Sequence, residues 1–226
     1  MMLLSALFSG SILTIAVTVV AAVFLVFVCI PLHELAHGYV AYKLGDKSVK
    51  ATGQLSLNPL SHIDLVGAVM IALIGFGWGK PCRVNSSYFK NEKRDLALVA
   101  AAGPVSNILL GWVLIFIYVA LDSLLPGFTN LVIGQAVGIF LYTTAQISVW
   151  LGVLNLLPIP LFDGFTILSA FLKPETEYKI QANQGMISII IIILLFSRIL
   201  TVPIEFVSGL LMKFFILASS LPFGLH

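Results

Sequence analysis

Apolar positions along this chain come in long unbroken runs, separated by short joints that carry polar residues, glycine and proline. Segment A, Ser11 to Leu44, opens with an almost wholly apolar stretch to Ile30, long enough to cross a bilayer at about 1.5 Å per helical residue. Pro31 has no N–H, so the carbonyl of Phe27 loses its helical partner and a kink is expected there. From Lys47 to Asp64 the chain turns polar and mixed. Alternation over Gln54 to Leu57 predicts a strand, and Asn58-Pro59 predicts a turn. Segment B, residues 65–79, is too short for a helical span and is interrupted by Gly67, Gly75, Gly77 and Gly79, which predicts a re-entrant hairpin.

Segment C, Leu96 to Leu121, is a full span. Segment D returns from Leu131 to Leu157, and its Gly134 and Gly138 form a G-x-x-x-G expected to admit a neighbouring helix. Core segment D continues to Gly164, but Pro158 and Pro160 break the helix, so Asp163 is expected on irregular backbone. Residues 185–219 form a C-terminal helical hairpin interrupted near Pro203. The expected fold is an all-α polytopic membrane protein with about five transmembrane helices, a re-entrant hairpin and a small membrane-associated β region. Residues 1–226 are expected to form a single membrane-embedded domain.

Composition agrees: 59% of the 226 residues are hydrophobic, 10% are charged, and the mean hydropathy is +1.07, an apolar excess that a water-soluble domain does not need. The net charge of +2 gives no indication of nucleic-acid binding. Cys29 and Cys82 form neither a C-x-x-C pair nor a disulfide framework. Met1 to Gly10 lacks the basic region of a signal peptide, so the first apolar segment is expected to stay in the mature protein. Charge changes the picture most through topology. Reading segment B as re-entrant places ten of the twelve basic residues on one side, from Lys43 to Lys179, and the positive-inside tendency makes that side the cytoplasm. His33, His37 and Asp163 then all fall near the cytoplasmic ends of their segments.

The candidate chemistry sits in His33-Glu34-Leu35-Ala36-His37. On a helix, histidines four residues apart project from one face and can bind one metal ion, and Glu34 lies beside them as a general base for the attacking water. Ionisable groups next to so long an apolar run are costly and mark a functional site. A catalytic site needs a third ligand. Asp163 is the best candidate, an acidic residue in an apolar stretch at matching depth, with His62 as runner-up and Asp64 and Cys29 behind it. Two His and one Asp suit one Zn2+ per chain, although the set does not exclude other divalent metals. Asn155 and Asn107 are candidate oxyanion or substrate-binding donors, helix–helix hydrogen bonding being the other use for each.

Together His33-Glu34-Leu35-Ala36-His37, Gly103-Pro104-Val105-Ser106-Asn107 and Asn155-Leu156-Leu157-Pro158 through Asp163-Gly164 resemble the site-2 proteases, which are intramembrane zinc metalloproteases. Gly53 to Asp64 and Phe76 to Pro81 resemble a short bacterial and archaeal branch without PDZ or CBS domains. The resemblance implies that His33, His37 and Asp163 bind zinc, that Glu34 is the catalytic acid/base, and that the region after segment A helps hold an extended substrate. It also implies a multi-pass protein of the plasma membrane of a prokaryote, with a transmembrane protein substrate and the lipid bilayer as partners. Two departures stand out: no transmembrane helix is expected before the H-E-x-x-H helix, and Phe165 follows Asp163-Gly164 where a second glycine is usual. Two other functions compete. A catalytically inactive scaffold that binds membrane proteins is disfavoured by the intact Glu34, and a metal transporter requires more intramembrane carboxylates than this chain offers.

Overall fold

A computed structural model describes residues 12–67, 69 and 79–224. The first run forms α1 (Ile12–Phe24) and α2 (Ile30–Leu44), joined through a π-helical turn at Leu25–Cys29. The disturbance expected from Pro31 takes this form: the Ile30 N–H reaches back five residues to the Leu25 carbonyl, and Pro31 enters the first turn of α2, where its missing N–H is least costly. α1 and α2 run on as one apolar rod, Ile15–Leu44.

Segment C becomes α3 (Glu92–Leu124), longer at both ends than its apolar core. Asn91 caps it: the Arg94 N–H donates to Asn91 Oδ1, and the Asn91 N–H donates to Asp95 Oδ2, so orphan donors at the helix start are satisfied reciprocally. α4 (Val132–Asn155) returns antiparallel, and α5 (Asp163–Ser169) follows the break. α6 (Pro174–Ala182) and α7 (Gln184–Phe196) meet at a bend of 67°, and α8 (Thr201–Ser220) completes the bundle. By length and apolarity four of these helical rods can cross a membrane, or up to five if the bent α6–α7 pair is one span.

α3 is the central helix, packed along α2, α4 and α5. Its main apolar core is shared with α4 and α8, around the fully buried Ile115, Leu154 and Ile204. A second cluster of Ala41, Val49, Phe89 and Val99 closes the end of the bundle that carries most of the basic residues. Close approach of α3 and α4 uses glycines other than the expected pair. A Cβ at Gly152 would lie 2.9 Å from the Pro104 carbonyl, and one at Gly111 would strike Val149, whereas Gly134 abuts Phe128 of the preceding turn. Gly138 approaches only the edge of Tyr118 on α3.

The joint after α2 differs from expectation. Gln54–Leu57 is a series of turns and bends, and among the described residues no strand forms; Ile63 and Gly79 make one isolated antiparallel bridge. The reason lies in Gln54, whose side-chain amide, rather than a paired strand, takes up both the N–H and the carbonyl of Arg83. Of the expected re-entrant hairpin over 65–79, residues 68 and 70–78 lie outside the described residues, and Leu65–Gly67 and Val69 are helical.

Contacts across the chain gather the basic joints at one end. Lys93 Nζ donates to the Leu172 carbonyl at 2.8 Å, and Asp46 Oδ2 accepts from the Asn85 N–H at 2.7 Å. The joints after α2, before α3 and after α5 therefore share one face of the bundle.

Candidate metal centre

His33 and His37 lie on one face of α2, one turn apart, with rings edge to face at 4.7 Å between centroids. Both are buried, and each uses Nδ1 to contact α3. His37 Nδ1 lies 2.7 Å from the Val99 carbonyl, and His33 Nδ1 lies 3.1 Å from the Asn107 amide. The two Nε2 atoms are left to point into a shared space. Gly103 lies midway between Val99 and Asn107 on the same face of α3, and a Cβ there would lie 2.6 Å from His33 Nε2 and closer still to His37 Nε2. Only glycine leaves that space open.

Asp163 closes it from the other side. Its Oδ2 lies 3.1 Å from His33 Nε2 and 3.4 Å from His37 Nε2. The break after α4 delivers it there: Pro158 and Pro160 stop α4, and the chain turns over Ile159–Phe162 before helix resumes. Asp163 is thus the first residue of a seven-residue helix, not part of the irregular stretch that the prolines predict. Gly164 makes the turn possible, because a Cβ there would strike the carbonyls of Leu156 and Leu157 at the end of α4. At the other end of α5, Lys93 Nζ reaches the carbonyls of Ser169 and Leu172, a cationic cap that ties this helix to α3.

These three residues have the donor set for a metal ion. Their ligand atoms lie within 4.8 Å of one another. Ligands about 2.0–2.1 Å from a tetrahedral zinc are separated by about 3.3 Å, which brackets well with the 3.1 and 3.4 Å observed. Asp163 Oδ2 is buried, and although both rings come this near, it accepts a hydrogen bond from neither. A buried carboxylate oxygen without a donor is expensive, and a cation shared with two imidazoles satisfies it.

Glu34 follows His33 on α2 and does not join the cluster of ligands. Its Oε2 accepts a hydrogen bond from the Cys82 N–H at 2.8 Å, so the carboxylate is held by the segment that returns after residue 79. That segment is pinned along its length, since the Lys80 N–H donates to the His62 carbonyl at 2.7 Å and the Asn85 N–H to Asp46. Burial pushes the Cys82 thiol up to about 12, with Glu34 and Asp46 adding to the shift, so it stays neutral beside Glu34. The other sequence candidates lie elsewhere. His62 is buried with Nε2 2.8 Å from the Ser56 carbonyl, Asp64 caps the Gly67 N–H, and Cys29 ends the π-helical turn between α1 and α2, buried in a cluster with Leu110 of α3 and Leu151 of α4.

Both asparagines line the same cavity as the cluster, a space of about 570 Å3 walled chiefly by apolar residues such as Leu25, Trp150, Leu161 and Ile192. Asn155 Nδ2 donates to the Leu151 carbonyl at 2.9 Å, one turn back on α4. Asn107 instead is turned towards His33. Sequence reasoning did not find the Val99 carbonyl, the Cys82 N–H, Lys93 or Asp46. Asp46 alone had a local signal, because Asp-x-Ser is an Asx pattern, and the Ser48 N–H does donate to Asp46 Oδ1.

Comparison with known proteins points to the same metal chemistry. The model of "Peptidase family M50" matches residues 125–197, which include α4 and Asp163. "Putative zinc metalloprotease YwhC" of Bacillus subtilis is 35% identical over 167 residues, 72% of this chain and 74% of that protein. "Putative zinc metalloprotease Rip2" of Mycobacterium tuberculosis is 35% identical over 183 residues, 77% of this chain and 65% of that protein. "Zinc metalloprotease MJ0392" of Methanocaldococcus jannaschii is 29% identical over 177 residues, 76% of this chain and 41% of that protein. No solved structure matches the chain. An identity of 35% maintained over three quarters of the Bacillus protein, together with the family model matched over residues 125–197, places the chain in peptidase family M50.

Proposed function

We propose that the chain is an intramembrane zinc endopeptidase that hydrolyses peptide bonds in or near transmembrane segments of substrate proteins. The observation that carries this reading is the convergence of His33 Nε2, His37 Nε2 and Asp163 Oδ2 on one buried point, with Glu34 beside it in an apolar-walled cavity. Those three side chains hold one zinc ion per chain. When bound, the zinc polarises the scissile carbonyl and lowers the pKa of the attacking water.

Every other task falls to the protein. Glu34 takes the proton of the attacking water and returns it to the leaving amine, its carboxylate oriented by the Cys82 N–H. Asn155 lines the cavity with one amide hydrogen committed to Leu151, and its other N–H serves the developing oxyanion. The apolar walls accept a hydrophobic substrate segment and limit water to what the reaction needs. The region after α2 holds the substrate in extended form, a role supported by Gln54, whose side-chain amide takes up both backbone groups of Arg83. The described helices act as one membrane-embedded domain in the plasma membrane of a prokaryote. By the positive-inside tendency the end that carries the basic joints and the metal centre faces the cytoplasm.

A transmembrane substrate arrives as a helix whose carbonyls are hydrogen-bonded internally, so it must unwind before any of them can enter the site. Matched transmembrane peptides with and without a Gly-Pro pair at the helix centre, reconstituted with the enzyme in zinc-containing liposomes, test the reading. Cleavage of the Gly-Pro peptide is expected to be faster by about tenfold or more, given the roughly 3 kcal/mol by which an interior proline weakens a helix. Equal cleavage of both would contradict a requirement for unwinding, and cleavage of neither by wild type would count against the peptidase itself.

A further inference from the structure

The two histidines reach α3 in different ways, and the difference assigns a task to Asn107. His37 Nδ1 faces a backbone carbonyl, which only accepts, so that nitrogen carries the proton and Nε2 presents its lone pair to the shared space. His33 Nδ1 faces an amide, which can either donate or accept. If Asn107 Nδ2 donates to it, the ring proton is forced onto Nε2, where a metal ligand needs a lone pair. If Asn107 Oδ1 accepts from it, Nε2 is freed. Asn107 Oδ1 is buried and has no donor, so exchanging the two ends of the amide breaks no hydrogen bond that the oxygen makes. The residue is well enclosed: Asn107 is 2% exposed, and its backbone carbonyl accepts from Ser148 Oγ of α4 at 2.8 Å.

We infer that Asn107 is a positioning residue, with Oδ1 accepting from His33 Nδ1–H and thereby holding His33 in the tautomer whose Nε2 binds the metal. The Val99 carbonyl does the same for His37. Val99, Gly103 and Asn107 recur every four residues on α3, so a single helix face sets both rings and keeps the space between them open. Metal-binding imidazoles depend on such an acceptor behind the ring, and its loss lowers affinity by about 10–100-fold. The inference rests on the metal-centre reading above and removes Asn107 from the oxyanion role, leaving that to Asn155.

Zinc affinity of the detergent-solubilised full chain, measured by competition with a chromogenic chelator, separates the two claims. Asn107→Leu, close in size but without an acceptor, is expected to bind zinc about 10–100-fold more weakly. Asn107→Asp, which can only accept, is expected to stay close to wild type. Equal affinity in all three proteins overturns the inference while leaving the metal centre intact, and so does equal loss in both variants. Absence of zinc binding in wild type defeats the metal-centre reading instead. Nitrogen-15 spectra of histidine in the metal-free wild type settle the matter should Asn107→Leu fail to fold. A proton on Nδ1 of His33 is expected, and a proton on Nε2 overturns the inference.

Discussion

Replacing Gly103 with alanine is expected to empty the metal centre while leaving the bundle folded. The added methyl would fall between the two Nε2 atoms, 2.6 Å from that of His33 and nearer that of His37, in the space that a shared ion fills. A flexible side chain could yield, but these rings are not free to do so. Moving His37 stretches its 2.7 Å contact with the Val99 carbonyl, and moving His33 disturbs Asn107. Relief by shifting α3 away from α2 meets the packing of α3 on α4, where Gly152 already brings the Pro104 carbonyl close. The overpacking itself costs about 1–3 kcal/mol, which a bundle of this size tolerates. Zinc affinity is expected to fall by at least about 100-fold, because both ligands move at once. Gly111→Ala is the control: two turns of α3 beyond Gly103 it crowds Val149 on α4, meets neither histidine, and should reduce thermal stability without changing zinc content. A Gly103→Ala protein that retains zinc in full would show that the rings are not held as described.

Glu34→Gln is expected to do the opposite, keeping the metal and losing the reaction. Glu34 contributes no ligand atom to the cluster. Glutamine matches it in shape, and its carbonyl oxygen can still accept from the Cys82 N–H, so the tether at 2.8 Å survives. What disappears is the ability to take a proton from water, a contribution of about 10²–10⁴ in rate. The peptide assay in liposomes reads this directly, with KM expected to change little because the cavity walls are untouched. Unchanged turnover would move the general base to another residue.

The helices and the three clustered side chains were legible in the sequence for different reasons. α2, α3 and α4 were readable because spans are long and their hydropathy signal accumulates, so errors were confined to ends, as where α3 begins at Glu92 rather than Leu96. His33 and His37 were readable because four-residue spacing on a helix carries geometry, and Asp163 because an acid in so apolar a stretch is anomalous. The supports of the site left no such mark. Val99 acts on His37 through a backbone carbonyl 62 positions away, and Lys93 caps α5 through carbonyls as far as 79 positions along the chain. A main-chain group is the same at every residue, so no pattern of side chains reports it. Gln54 misled for a related reason. Its alternating neighbours suit a strand, yet a single amide 29 positions from Arg83 supplies what a ladder would have supplied. Gly134 and Gly138 matched a helix-packing motif, but spacing alone does not say which face of α4 meets α3.

If His33, His37 and Asp163 form one metal centre served by Glu34, metal content reads it without knowledge of the substrate. Wild type, His37→Ala, Asp163→Ala and Glu34→Gln should be purified in detergent, supplied with zinc, desalted and analysed by mass spectrometry of the metal. About one zinc per chain is expected in wild type and Glu34→Gln, and far less in either ligand variant. Zinc-free wild type, or an Asp163→Ala protein that binds as wild type does, would contradict a centre built from these three side chains.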